Sequence, residues 1–168
     1  MQDNHCHYNI LYSKIENISD LVLGQLGLEK HQLSVSFVDE KEMTSLNQSY
    51  RNKDRSTDVL SFPQIEFQDP VTVENRYQAS QSEELPPSIL GDIVISLEDA
   101  HKNADKIGQD LDREVCFLII HGCLHLCGHD HMNPKEEELM LNQQRKIMAV
   151  LEEDNSPPPW QDCVRVEA

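Results

Sequence analysis

A chain of 168 residues, 38% of them hydrophobic, is long enough to bury one real core and too short to divide comfortably into two. Its 14 basic and 30 acidic residues leave a net charge of −16, which excludes a protein that holds nucleic acid through a broad basic face. No apolar run approaches the roughly 18 residues of a membrane span, and the opening Met1-Gln2-Asp3-Asn4-His5-Cys6-His7 lacks the basic start and apolar stretch of a secretory signal. A cytoplasmic protein without membrane contact is expected.

Taken in chain order, Ile15, Ile18, Val22 and Leu26 recur at helical spacing and predict an amphipathic helix over 13–26. Leu33 to Val38 alternates with period two, as a strand with one buried face does. Asp39 followed by Glu42 is a capping pattern that opens a second helix, with Met43, Leu46 and Tyr50 expected inward. Val59 to Phe62 reads as a short strand that Pro63 closes or pushes to an edge. The polar stretch from Gln64 to Ser88 is long for a loop within one domain, and a short edge strand is expected at 65–67 or 71–73. Ile93-Val94-Ile95, apolar on both faces, is placed as an interior strand. Ser96 with Asp99 is another capping box, opening a helix that ends near Gly108.

From Leu111 to Cys127 the chain is apolar nearly all round, as a helix at the centre of a domain is. Asn133 and Pro134, with Glu136 behind them, start a last helix to about Glu152. The proline run Pro157-Pro158-Pro159 reads as a stiff, solvated tail rather than core. The expected architecture is α+β: a single domain over 1–155, with a small, mostly mixed sheet of three or four strands packed with four or five helices, and a flexible tail over 156–168. Five cysteines without an export signal argue for free thiols. Cys116, Cys123 and Cys127 fall on one helical stripe as small buried hydrophobes, while Cys6 and Cys163 lie in the expected tails.

The chemistry is concentrated in His121-Gly122-Cys123-Leu124-His125-Leu126-Cys127-Gly128-His129-Asp130-His131. His121 and His125, four apart, share one helix face and can share a metal ion. Gly128 stands where the helix should stop, so the chain can turn back and bring His131 to the same ion. Three imidazoles without a fourth protein ligand leave one position for water, the layout of a catalytic zinc site on the central helix. Unmetalled, the same three rings inside an apolar helix would leave ring nitrogens unpaired. The spacing equals that of the zinc-peptidase pattern H-E-x-x-H-x-x-G-x-x-H, except that Gly122 replaces the glutamate that takes the proton from the attacking water. Peptide hydrolysis is therefore the second choice.

Together with Leu46-Asn47-Gln48-Ser49-Tyr50-Arg51, Thr57-Asp58-Val59-Leu60-Ser61-Phe62-Pro63 and Gly91-Asp92-Ile93-Val94-Ile95-Ser96, the histidine string resembles the YbeY family of bacterial zinc-dependent endoribonucleases. The blocks keep the family's order from Leu46 to His131, about half the chain. The resemblance implies a small α+β fold, one Zn2+ on His121, His125 and His131, and endonuclease cleavage of single-stranded RNA. It further implies a role in 16S rRNA 3′-end maturation and late ribosome quality control, with the small ribosomal subunit as partner. Arg51 is the expected phosphate contact, where a guanidinium can bind two oxygens at once. Arg55 and Ser56 stand where the family often has lysine and proline, so charge is kept and turn stiffness lost.

Asp130, the nearest carboxylate, is either the proton acceptor or the group that holds a ligand histidine in its tautomer. Water and the RNA 2′-hydroxyl both remain open as nucleophile, and three histidines suit zinc but accept nickel or copper too. Asp58 and Asp92 are read as anchoring loops through backbone hydrogen bonds rather than acting in the chemistry. With so acidic a chain, RNA recognition has to be local, or a ribosomal protein or ribosome-associated GTPase supplies the positive charge; DNA is not an expected partner. A third reading is a ribosome-associated binding module with a structural zinc.

Overall fold

The computed structural model describes residues 8–77 and 88–167. In chain order these form β1 (Tyr8–Ile10), α1 (Tyr12–Gln25), β2 (Gln32–Val38), α2 (Glu40–Arg51), β3 (Val59–Pro63), β4 (Ile89–Ser96), α3 (Leu97–Ile107), α4 (Leu111–Leu126), α5 (Pro134–Glu153) and β5 (Val164–Val166). The α+β architecture matches expectation, with β4 at the centre of a mixed sheet in the order β2-β4-β3. β2 runs parallel to β4, with Val35 opposite Ile93, and β3 runs antiparallel, with Leu60 opposite Val94. β3 is thus an edge strand, where its terminal Pro63 costs no central ladder bond.

The alternation of β4 divides the interior. Ile93 and Ile95 join the main core with Ile119, Ile120 and Leu124 of α4 and Ile18 and Val22 of α1. Val94 faces the other way, onto Val38, Leu60 and Met43 of α2. Gly122 lets α4 lie close against the sheet, since a Cβ there would lie 2.9 Å from Ile93 Cγ2.

The helix starts follow the capping residues read from the sequence. Asp39 accepts from the Glu42 amide at 2.7 Å, Ser96 caps Asp99, and Asn133 caps Glu136 at 3.0 Å ahead of Pro134. Tyr50 departs from expectation: it is 67% exposed and stands edge-on to Phe62 at the surface, while Asn47 takes the buried position on that helix. No strand forms over 64–77, where the chain instead runs as an irregular loop whose Val71 and Thr72 are buried. The expected proline pair Pro86-Pro87 lies outside the described residues, as does Cys6.

The reading of 156–168 as a solvated tail is corrected by the structure. Trp160, Cys163 and Val164 belong to the main core, and β5 pairs antiparallel with β1, Tyr8 opposite Val166. Further bonds latch the segment down: Leu11 N–H donates to the Cys163 carbonyl at 2.9 Å, and the Asp162 amide donates to Asp112 Oδ2 at 2.9 Å. The prolines make the turn, and the apolar residues behind them return to the core to shed water. Cys163 is accordingly a buried thiol like Cys116, Cys123 and Cys127, all of them free. Burial pushes Cys163 up to about 12 and Cys116 in the same direction, which leaves both protonated and inert at neutral pH.

Candidate metal centre

α4 carries two histidines in its last turns and then stops where Gly128 adopts φ 95°. The stop is a Schellman turn: the His129 amide donates to Leu124 O at 3.0 Å and the Gly128 amide to His125 O at 3.2 Å. This reversal brings His131 back over the helix end. The His121 and His125 rings lie 4.7 Å apart, His125 and His131 5.1 Å, and His121 and His131 6.4 Å. All three stand at the C-terminal end of α4, where the helix dipole favours a cation.

Two of the rings are held by their Nδ1 atoms. His125 Nδ1–H donates to the His129 carbonyl at 3.1 Å, and His121 Nδ1 meets Gln144 Nε2 of α5 at 2.5 Å. At His125 this leaves Nε2 as the atom able to take an ion. Burial lowers the pKa of His121 to about 4, with the neighbouring His125 and His131 adding to the effect, and burial likewise lowers His125. Both are therefore neutral at pH 7, the state a metal ligand requires. His129, although in the same string, is no ligand. It is buried and its Nε2–H donates to Val71 O at 2.7 Å, fastening the 64–77 loop beneath the helix end.

The most compact donor group among the described residues consists of His125, Asp130 and His131, whose ligand atoms lie within 4.8 Å of one another. His121 lies outside that group. Donors around a tetrahedral zinc at 2.0–2.1 Å stand roughly 3.4 Å apart, so a three-histidine site needs His121 and His131 to draw together. His131, exposed in the segment between α4 and α5, is the ring with room to move. Asp130 spends Oδ1 on the His131 amide at 2.8 Å and keeps its second oxygen for the site. The donor set fits one divalent ion, with nitrogen ligands favouring a first-row transition metal and Asp130 at hand as an oxygen ligand, a tautomer anchor or a base.

These histidines line a cleft of about 450 Å³ whose opposite wall holds Arg51, Asp58 and Ser61. Arg51 is the last residue of α2, where the left-handed Asn52 (φ 55°) turns the chain away. Buried Asn47 secures that turn by donating to the Arg55 carbonyl at 2.8 Å. Arg51 is exposed and makes no ion pair among the described residues. Asp58 accepts from Asn103 Nδ2 of α3 at 2.9 Å, and burial raises its carboxyl above the usual range. Asp92 likewise accepts from Gln64 Nε2 at 3.1 Å. A somewhat larger groove of about 530 Å³, between α1 and β2, contains no histidine or cysteine and is lined by Glu16 and Asp20, so the chemistry belongs to the smaller one.

The sequence reading missed Gln144 and the Val71 carbonyl, since both reach the site through tertiary contacts from segments far along the chain. The structure brings Arg51, Asp130 and all three histidines to one cleft.

The model of the family described as Endoribonuclease YbeY matches residues 2–152. A relative named Endoribonuclease YbeY from Caldanaerobacter subterraneus is 44% identical over 121 residues, covering 72% of this chain and 74% of its own. One from Macrococcus caseolyticus with the same name is 38% identical over 136 residues, covering 80% and 82%. The solution structure of TM1509 from Thermotoga maritima, 28% identical, superposes with a TM-score of 0.57 over 88% of both chains.

Proposed function

As the chain belongs to the YbeY family of endoribonucleases, we propose that it cuts single-stranded RNA at the cleft of His121, His125 and His131, holding one Zn2+ there, and that it acts in the cytoplasm in 16S rRNA 3′-end maturation and late ribosome quality control. The reading rests on a single observation: Arg51, exposed and without an ion pair among the described residues, shares one cleft with three converging imidazoles. Zinc bound there supplies an acidified water and Lewis acidity at phosphorus. Arg51 offers its fork to the non-bridging phosphate oxygens, and this stabilises the charge that builds on a five-coordinate phosphorus. Asp130, through its uncommitted oxygen, takes the proton of the attacking group. Lys53 and Arg55, with Asp54 between them, follow Arg51 on the same exposed turn, which is net basic on an otherwise acidic chain. RNA is gripped locally by that turn, with the small ribosomal subunit and a ribosomal protein or GTPase delivering it.

The test is cleavage of an end-labelled single-stranded RNA by the zinc-loaded protein beside His121→Ala and Arg51→Ala. Wild type should cut while both folded variants lose at least about 100-fold, the usual scale for one electrostatic contact to a transition state. Equal cutting by all three preparations would assign the activity to a contaminant and leave a binding module with a structural metal.

A further inference from the structure

Of the two ring-holding contacts, the one to His125 is already set for metal: a proton on Nδ1, donated to a carbonyl, leaves the Nε2 lone pair free. His121 is held differently. Its Nδ1 faces the amide nitrogen of Gln144, a donor, so the neutral ring carries its proton on Nε2, the atom that an ion shared with His125 and His131 needs. The oxygen of the same amide is buried and has no hydrogen-bond partner among the described residues. Gln144 is itself only 1% exposed. A half-turn about its last torsion exchanges nitrogen and oxygen with almost no change of shape.

From this geometry we propose that Gln144 is the positioning residue of His121: with metal bound, its side-chain carbonyl accepts the His121 Nδ1–H and so fixes both the tautomer and the orientation of the ring. The proposal rests on the three-histidine reading above. Its neighbour Gln143 supplies the rigidity, since it accepts from the Val73 amide at 2.9 Å and donates to Glu74 Oε2 at 2.9 Å, which sets α5 against the loop. α5 thereby becomes part of the metal centre although it contributes no ligand.

The experiment uses the full chain, stripped of metal, with Gln144→Met and Gln144→Glu. Co2+ and Zn2+ affinities are measured by competition with a chromophoric chelator, and the unfolding midpoint is measured without metal. Methionine keeps the length and removes the acceptor, so metal binding should weaken roughly 10- to 100-fold, the usual effect of losing such a partner. Glutamate is a pure acceptor and should hold the ion at least as tightly as wild type, even where the metal-free variant is less stable. A purely packing role predicts the reverse order. Unchanged affinity in Gln144→Met overturns the proposal, and so does a Gln144→Glu variant that binds both ions more weakly than wild type. Should Gln144→Met not fold, the glutamate variant alone decides. If the wild-type protein takes up neither ion, the three-histidine reading itself fails, an outcome distinct from a failure of Gln144 alone.

Discussion

Replacing Gly122 by alanine tests whether α4 is as tightly seated on the sheet as the geometry requires. The new Cβ would lie 2.9, 3.0 and 3.1 Å from Ile93 Cγ2, Cγ1 and Cδ1, where carbon pairs rest at about 3.5–4.0 Å. Ile93 is fully buried on the central strand and has nowhere to swing. Overpacking of this kind costs about 1–3 kcal/mol, against which alanine in place of glycine returns up to about 1 kcal/mol of helix propensity. A net loss of about 1 kcal/mol is expected. Gly24 in α1 provides the control, because a Cβ there meets nothing within 4 Å, and Gly24→Ala should gain about 0.5 kcal/mol. Urea unfolding of the metal-free variants reads the difference directly, provided the slope stays constant. If Gly122→Ala stabilises as much as Gly24→Ala, α4 has slack against β4 and the packing argument is wrong. The outcome also bears on chemistry: a glutamate at 122, which a zinc peptidase would use as its base, starts along the same Cα–Cβ bond toward Ile93.

Trp160→Ala should destabilise the protein by about 3–5 kcal/mol, because the ring is buried in the main core and lies under the Arg113 guanidinium at 5.7 Å; a loss below about 1 kcal/mol in thermal unfolding would return 156–168 to a dispensable tail. Glu114 is buried and burial, reinforced by Asp58, raises its pKa although Gln109 donates to it. The folded state therefore holds this proton more tightly than the unfolded one, and stability falls as pH rises from the ordinary glutamate value through the raised one. Glu114→Gln removes that loss and should gain about 1 kcal/mol at pH 7 while gaining little at pH 4, a contrast that denaturation at the two values checks.

The elements were legible because each rests on a local signal. Asp39, Ser96, Asn133 and Gly128 mark helix ends by side-chain and backbone chemistry that acts within five residues, and β4 shows its central place by being apolar on both faces. The histidine-lined cleft was legible for the same reason, since the helical period and one glycine bring His121, His125 and His131 to its wall, although the compact donor group is His125, Asp130 and His131. What the sequence hid depends on distant partners. Tyr50 sits at a helical spacing that suits the core, yet Asn47 occupies that core position because its amide ties down the Arg55 turn. The three prolines before Trp160 masked a segment whose partner strand, β1, lies at the other end of the chain. Gln144 approaches His121 across a helix pair, and nothing in the spacing of either helix records it.

The fastening of the 64–77 loop has a kinetic meaning. Val71 donates to Cys127 O at 3.0 Å and accepts from His129, whose own carbonyl holds His125 at 3.1 Å. An irregular segment is thus stitched into the end of the ligand-bearing helix and should open with it as one unit. The Val71 amide should exchange its proton as slowly as the last turn of α4, in contrast to the rest of the loop. The orientation of the His125 ring thus depends on a stretch of chain that contributes no donor to the cleft.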